Sequence, residues 1–154
     1  MTEFNDSEIL LVEDNESGAE LTLHALEKSK LINKIVRVDV GEKALDFVFC
    51  RSPYSDRTLT SPPHLILLDL KLPKVDGMQV LRQLKSDTQT KAIPVILPMA
   101  SKEEREVAES YQLGVNSYIQ KPVNFSDFQD VVRQLGMYWL LVNIKPPVAA
   151  FTMS

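Results

Sequence analysis

Five short and almost uninterrupted apolar runs are spaced along this 154-residue sequence. The runs are Ile9–Val12, Ile35–Val38, Leu65–Leu68, Val95–Leu97 and the pair Tyr118–Ile119. A strand that is apolar along its whole length is covered on both faces, which is typical of a parallel sheet packed between helices. We therefore expect five parallel strands at these positions.

The stretches between the runs carry helical spacing or helix-start signals. Ala19, Leu23 and Leu26 follow the spacing of one helix face. Ser101 with Glu104 and Ser126 with Gln129 have the spacing of a capping box. The remaining predicted helices are 42–49, one opening at Asp76 and Gly77, one from Ser101 to about Gln112, and a last one along the stripe Phe125, Phe128, Val132, Leu135 and Trp139. The sequence thus predicts an α/β fold, a doubly wound five-stranded parallel sheet with five helices.

Composition and charge argue against several classes of binding site and cellular location. The formal net charge of −4 argues against a nucleic-acid surface, which needs clustered Lys and Arg. Cys50 is the only cysteine, so an intrachain disulfide and a Cys-rich zinc site are excluded. The polar, acidic start MTEFNDSE does not fit a signal peptide, and no apolar run approaches the roughly 20 residues of a membrane span. We expect a cytoplasmic protein that binds neither nucleic acid nor membrane.

Ionisable residues follow three of the predicted strands. Glu13 and Asp14 follow the first, Asp69 the third and Lys121 the fifth. In doubly wound sheets the ligand site lies beyond the carboxyl ends of the strands, so these groups should meet there. Three carboxylates together need a cation, and Mg²⁺ prefers oxygen ligands. Taken alone, Glu13, Asp14 and Asn15 fit an acidic helix N-terminus better than a metal site, so the predicted site rests on the joint occurrence of all these groups.

Three motifs occur in order: LLVEDN, LILLDLKLPKVDG and SYIQKP. In order and spacing they resemble the signatures of the response-regulator receiver family, over about Ile9 to Gly136. The middle motif is the most specific, with Asp69, Pro73 four residues on, and then Asp76-Gly77. The resemblance implies the CheY-like (flavodoxin-like) receiver fold and one domain over 1–154, with a core from about 8 to 136 and a helix extension and tail over 137–154.

The resemblance also assigns a role to each matching position. It implies that Asp69 accepts a phosphoryl group and that Lys121 contacts that group. For a Mg²⁺ or Mn²⁺ ion it implies the ligands Asp14 and Asp69, Glu13 through water, and the backbone carbonyl of Lys71. It further implies a cis-proline at Pro122 and a switching aromatic side chain at Tyr118.

A narrower resemblance concerns the loop before the third strand and the tail YWLLVNIKPP. Both are similar to stand-alone receivers that partner cyanobacterial phytochrome kinases. The expected partner is therefore a sensor histidine kinase, of the phytochrome type in this narrower reading. Because the tail is more apolar than a free terminus should be, we also expect a homodimer formed through the last helix and the tail. The alternative is a tail that folds back on its own domain.

Met99 departs from the family pattern. Receivers have Ser or Thr after the fourth strand, and its hydroxyl bonds the phosphoryl group; here the run is VILPMAS. A thioether cannot donate a hydrogen bond. Pro98 also removes a ladder donor from a strand expected to be interior. The acceptor chemistry is expected to be intact, with a weakened coupling to conformation.

Two other classes of function compete with a phosphorylated receiver. A haloacid-dehalogenase-like phosphohydrolase would need an acid two residues after Asp69, where this chain has Lys71. A receiver-like adaptor that binds regardless of phosphorylation is motivated by Met99. The sequence has no P-loop and no GxGxxG motif. We expect a phosphoacceptor with self-catalysed phosphoryl transfer and dephosphorylation only, not an enzyme, and signalling through protein contacts.

Overall fold

A computed structural model describes residues 8–28, 34–56, 62–70, 77–112 and 114–137. Its strands are β1 (Glu8–Val12), β2 (Lys34–Val38), β3 (Leu65–Leu68), β4 (Val95–Met99) and β5 (Ser117–Gln120). Its helices are α1 (Glu16–Lys28), α2 (Gly41–Val48), α3 (Gly77–Ser86), α4 (Lys102–Ser110) and α5 (Phe125–Gln134). Strands and helices alternate, and every strand pairing is parallel, in the order β2-β1-β3-β4-β5. The predicted fold class is confirmed.

The buried side chains form two hydrophobic clusters, one on each face of the sheet. Leu10 of β1 belongs to the cluster that contains Leu45 of α2 and the buried side of α3. Its neighbour Ile9 belongs to the other cluster, with Leu26 of α1 and Phe128 of α5. Neighbouring strand residues point to opposite faces, so a run that is apolar throughout is what two covered faces require.

No helix within the described ranges is long and apolar enough to cross a membrane.

Pro98 lies inside β4, which extends two residues beyond its predicted end at Leu97. The carbonyls of Val95 and Met99 accept from the N–H groups of Asn116 (3.1 Å) and Lys121 (2.8 Å) on the β5 side. Hydrogen-bonding groups alternate along a strand, so the nitrogen of Pro98 faces the β3 side. Pairing with β3 involves Val95 and Ile96 only. The missing donor therefore falls beyond the β3 pairing, which explains how the strand accommodates a proline.

The start of α5 corrects one prediction. Asn124 caps the helix, because its side-chain oxygen accepts from the N–H of Asp127 at 2.8 Å. The expected capping box at Ser126 and Gln129 is wrong, since Ser126 already lies within the helix. By contrast, the cap predicted for α4 is confirmed: Ser101 Oγ accepts from the N–H of Glu104 at 3.1 Å.

The end of α5 corrects a second prediction, because the helix stops at Gln134 and does not continue towards Trp139. Gly136 has φ +74, and its N–H donates to the carbonyl of Arg133 at 2.9 Å. The N–H of Met137 donates to the carbonyl of Val132, also at 2.9 Å. These two bonds form a Schellman motif, which ends a helix at a left-handed glycine. Trp139 itself lies outside the described residues.

Gly77 begins α3 in close contact with the backbone after β3. A Cβ at Gly77 would lie 2.3 Å from Leu70 Cα and 2.5 Å from the carbonyl oxygen of Asp69. Because backbone cannot move aside as a flexible side chain can, we expect Gly77→Ala to lower the free energy of unfolding by about 3 kcal/mol or more. Urea unfolding followed by circular dichroism measures this loss.

Gly136→Ala is the matched control for that substitution. Gly136 has a left-handed φ but no neighbouring atom within 4 Å of an added Cβ. Gly136→Ala should therefore lower the free energy of unfolding only through backbone strain, by about 1–2 kcal/mol. If the Gly77→Ala protein were as stable as the Gly136→Ala protein, the backbone after β3 would be able to shift and make room for the added Cβ.

Candidate functional site

The carboxyl ends of β1, β3 and β5 bring four predicted site residues together. Ligand oxygens of Glu13, Asp14 and Asp69 lie within 4.8 Å of one another. The ammonium nitrogen of Lys121 lies 3.3 Å from Asp69 Oδ1. The chain order of the strands reverses between β1 and β3, and crevices at such points are where doubly wound sheets bind ligands.

The sheet itself positions the two buried acids. The N–H of Asp69 donates to the carbonyl of Val12 at 3.0 Å, and the N–H of Glu13 donates to the carbonyl of Val38 at 3.1 Å. Both acids therefore continue the hydrogen-bond ladder one residue past their strands. Asp69 is 5% exposed and Glu13 is 7% exposed, whereas Asp14 is exposed.

Asn15 fixes the turn from β1 into α1. Its side-chain oxygen accepts from the N–H of Gly18 at 2.6 Å, and its carbonyl accepts from the N–H of Ala19 at 2.9 Å. Its own N–H donates to Glu13 Oε2 at 3.2 Å. Asn15 thus caps the helix and also orients the Glu13 carboxyl group.

The buried acids are short of positive charge. Burial, followed by a hydrogen bond to Asp69 and the negative charge of Asp69, raises the pKa of Glu13 to about 7. The N–H of Asn15 and the charge of Lys121 act in the opposite direction. A pKa near 7 for Glu13 indicates that Lys121 alone does not offset burial and the neighbouring charge of Asp69. The oxygen donors and the charge deficit are consistent with a divalent cation site.

Lys121 approaches Asp69 from the end of β5. Its side chain is 28% exposed, compared with 6% for the side chain of Asp69, so the lysine is the more accessible partner of the pair. Its backbone N–H donates to the carbonyl of Met99, and the Lys121–Pro122 peptide bond is cis. Lys121 therefore lies beside Asp69, and a cis-proline follows it in the chain.

Met99 is the last residue of β4 and is 4% exposed. Its Cα is paired with that of Gln120, next to Lys121. Ser101, the nearest downstream hydroxyl in the chain, is exposed and accepts the capping bond of α4. The described residues thus contain a buried thioether where the family has its switch hydroxyl.

Tyr118 is half-buried, and the Arg105 guanidinium carbon lies 4.7 Å from the centre of its ring. Both line a cavity of about 300 Å³ that also borders Met99. Burial, and next the charge of Glu109, raises the pKa of Tyr118, so its hydroxyl stays protonated. No sequence motif indicates this cation–π contact, because the contact depends on how α4 lies against β5.

Some predicted site residues are not placed. Lys71, Pro73 and Asp76 lie outside the described residues, so the carbonyl ligand of Lys71 stays a prediction. One contributor was missed by sequence reasoning: the Arg37 guanidinium donates to the carbonyl oxygen of Glu13 from Nε (3.1 Å) and Nη2 (2.8 Å). Arg37 lies within an apolar run and belongs to no motif, so only the fold reveals it.

The fold and this strand-end site define a class of signalling domain. The family described as "Response regulator receiver domain" matches residues 9–133. This chain belongs to that family, whose members are generally signalling domains and not enzymes.

Two curated relatives cover most of the chain. The "Probable methanogenesis regulatory protein FilR2" of Methanothrix harundinacea is 38% identical over 138 residues, 90% of this chain and 86% of the relative. The response regulator Rcp1 of Synechocystis sp. is 37% identical over 133 residues, 86% of this chain and 88% of the relative.

Solved structures show the same similarity. The bacteriophytochrome response regulator RtBRR has a TM-score of 0.83 and 47% identity, covering 92% of this chain and 84% of that one. The phosphorylated cyanobacterial phytochrome response regulator RcpA has a TM-score of 0.70 and 38% identity, with 88% and 95% covered. The Mn²⁺-bound form of Rcp1 has a TM-score of 0.68 and 35% identity, with 87% and 94% covered. This chain is thus similar to stand-alone phytochrome response regulators.

Proposed function

We propose that this receiver accepts a phosphoryl group on Asp69 from a sensor histidine kinase, with a divalent cation bound beside it, and signals through protein contacts. One observation carries the proposal. A buried Asp69 carboxylate lies 3.3 Å from the Lys121 ammonium group and shares an oxygen cluster with Glu13 and Asp14. The proposal is supported by the structure of RcpA, a similar protein that was solved in a phosphorylated form.

The proposed transfer is a direct displacement at phosphorus. An Asp69 carboxylate oxygen forms the new P–O bond while the P–N bond of the donor phosphohistidine breaks. The histidine nitrogen leaves with the electron pair of that bond. The Lys121 ammonium group, already at Asp69 Oδ1, would pair with the negative oxygens of the transferred group. Hydrolysis of the aspartyl phosphate by water would return the domain to its unphosphorylated form. In this proposal the domain catalyses both its own phosphorylation and this hydrolysis.

The cation would be held by the oxygen cluster. We assign Asp14 and Asp69 as direct ligands, Glu13 as a ligand through water and the carbonyl of Lys71 as a further ligand. When bound, Mg²⁺ or Mn²⁺ supplies positive charge that neutralises the phosphoryl oxygens during transfer. The Mn²⁺-bound form of Rcp1, a protein 35% identical to this chain, supports the proposal of a divalent cation.

Removing one ligand tests the cation site. Asp14 is exposed, so Asp14→Asn should leave the fold intact while it removes a charged direct ligand. We expect the affinity for Mn²⁺, measured by electron paramagnetic resonance, to fall about tenfold or more. Asp130→Asn is the control, because Asp130 is an exposed carboxylate on α5. Equal affinities in the two variants would remove Asp14 from the site.

The upstream partner is proposed to be a phytochrome-type histidine kinase. The similarity to RtBRR and RcpA, both phytochrome response regulators by name, supports this choice. Phosphotransfer from a purified, autophosphorylated phytochrome kinase should be faster than transfer from a histidine kinase with another sensor. Transfer at the same rate from both kinases would contradict the assignment.

We also propose a homodimer formed through α5 and the tail. Residues 138–154 of the tail lie outside the described residues, so the proposal rests on the apolar sequence YWLLVNI. Sedimentation at protein concentrations on the order of tens of micromolar should show a dimer. A monomer under those conditions would favour a tail that folds back on its own domain.

A further inference from the structure

The backbone of Glu13 is held by β2 at both its donor and its acceptor. Its N–H donates to the carbonyl of Val38 at 3.1 Å. Its carbonyl oxygen accepts two bonds from the Arg37 guanidinium group, from Nε at 3.1 Å and from Nη2 at 2.8 Å. A fork of two N–H groups on one oxygen restricts both the position and the orientation of that carbonyl.

The end of β2 explains why a side chain makes this contact. In a parallel ladder, a strand that accepts through the carbonyl of Val38 would next donate through the N–H of Val40, two residues further along. β2 stops at Val38, and Val40 is already the N-cap of α2. Arg37, whose Cα is paired with Leu11 of β1, therefore supplies the donor that the departing backbone cannot.

The carbonyl that Arg37 holds belongs to the peptide that joins the two acids. The peptide plane between Glu13 and Asp14 sets the direction in which the Asp14 side chain leaves the backbone. Asn15 fixes the other side of this turn through its bonds to Glu13 Oε2 and Gly18. Arg37 and Asn15 together therefore leave the turn between β1 and α1 little freedom.

We infer that Arg37 is a positioning residue for the divalent cation, acting through the Glu13–Asp14 peptide and not through direct contact. This inference rests on the proposed function, because it presupposes that these acids bind a cation. The positive charge of Arg37 has the opposite effect on cation affinity from its positioning role. A positive guanidinium group near the site repels a cation, so its removal would tighten binding if charge alone mattered. The two effects can therefore be told apart by the direction of the change.

The test is the Mn²⁺ dissociation constant of the full-length protein, measured by electron paramagnetic resonance without any phosphodonor. Arg37→Met keeps the length of the side chain and removes both donors. We expect about tenfold weaker binding, the usual effect of losing a group that orients a metal ligand. Arg133→Met is the matched control, since it removes an exposed positive charge from α5 and should leave binding unchanged.

Arg37→Lys keeps the charge and can donate from only one nitrogen, so its dissociation constant should lie between those of the wild type and Arg37→Met. It also carries the test if Arg37→Met does not fold. Unchanged or tighter Mn²⁺ binding in a folded Arg37 variant would overturn the inference and leave the proposed function standing. Absence of Mn²⁺ binding in the wild type would instead overturn both.

Discussion

Asp69→Asn is expected to abolish labelling of the protein by phosphoramidate in the presence of Mg²⁺. The amide oxygen of Asn lacks the negative charge that makes a carboxylate a nucleophile, while its size and shape are nearly those of Asp. Asp69 is 5% exposed and hydrogen-bonded within the sheet through its backbone, so the substitution should not disturb the surrounding strands. Intact-mass spectrometry after incubation with the donor measures the gain of one phosphoryl group.

Asp39→Asn is the control for this experiment. Asp39 follows β2 at the same edge of the sheet, and its carboxylate is 3.0 Å from the ammonium group of Lys43. The hydrogen bond from Lys43 lowers the pKa of Asp39, so its carboxylate is ionised at neutral pH. Asp39→Asn should be labelled like the wild type. Undiminished labelling of Asp69→Asn would mean that another residue is the acceptor.

Met99→Thr should increase the effect of phosphorylation on dimer or partner affinity by about one to two orders of magnitude. Phosphorylation shifts a two-state balance only through contacts that differ between the states. The family hydroxyl makes one such contact, a charge-assisted hydrogen bond worth roughly 1.5–3 kcal/mol, and each 1.4 kcal/mol is about a factor of ten. Met99 is 4% exposed at the end of β4, beside Lys121, and its thioether cannot donate that bond.

Met99→Val is the matched control, because valine has the shape of threonine without the hydroxyl group. The measurement is the affinity of each protein with and without phosphorylation, by sedimentation for the dimer or by titration for a partner. Phosphorylation should change the affinity of the wild type and of Met99→Val by similar small factors, and that of Met99→Thr by a large factor. If Thr and Val respond equally, the hydroxyl is dispensable in this receiver and Met99 does not weaken its switch.

Most of the fold followed from the apolar runs. Because these runs are apolar on both faces, they could be buried only in a sheet covered by helices on both sides, and all five strands lie where they were predicted. The site followed in turn, because parallel strands direct their carboxyl ends to one edge and so bring Glu13, Asp69 and Lys121 together.

The limits of α5 were harder to predict, because two signals competed at each end. Asn124 with Asp127 and Ser126 with Gln129 both have N-cap spacing, and only the structure shows that Asn124 is the cap. At the other end, the apolar stripe continues to Trp139, but Gly136 takes a left-handed conformation and ends the helix. Periodicity reports which face of a helix is buried and does not report where the backbone turns away.

The contacts of Arg37 and Arg105 could not be predicted from the sequence at all. Arg37 reaches Glu13 because β2 lies beside β1, and Arg105 reaches Tyr118 because α4 lies beside β5. Each pair is distant along the chain and matches no motif. Such contacts are properties of the tertiary structure.

The most direct test of the account is to locate the phosphoryl group and its cation requirement in one experiment on the wild-type protein. The protein is incubated with phosphoramidate, with Mg²⁺ or with a chelator, then reduced with borohydride, which converts an aspartyl phosphate to the alcohol, and sequenced by tandem mass spectrometry. We expect reduction at Asp69 alone, in the sample with Mg²⁺ and not in the sample with the chelator. Modification at another residue, or equal modification of Asp69 in both samples, would contradict it.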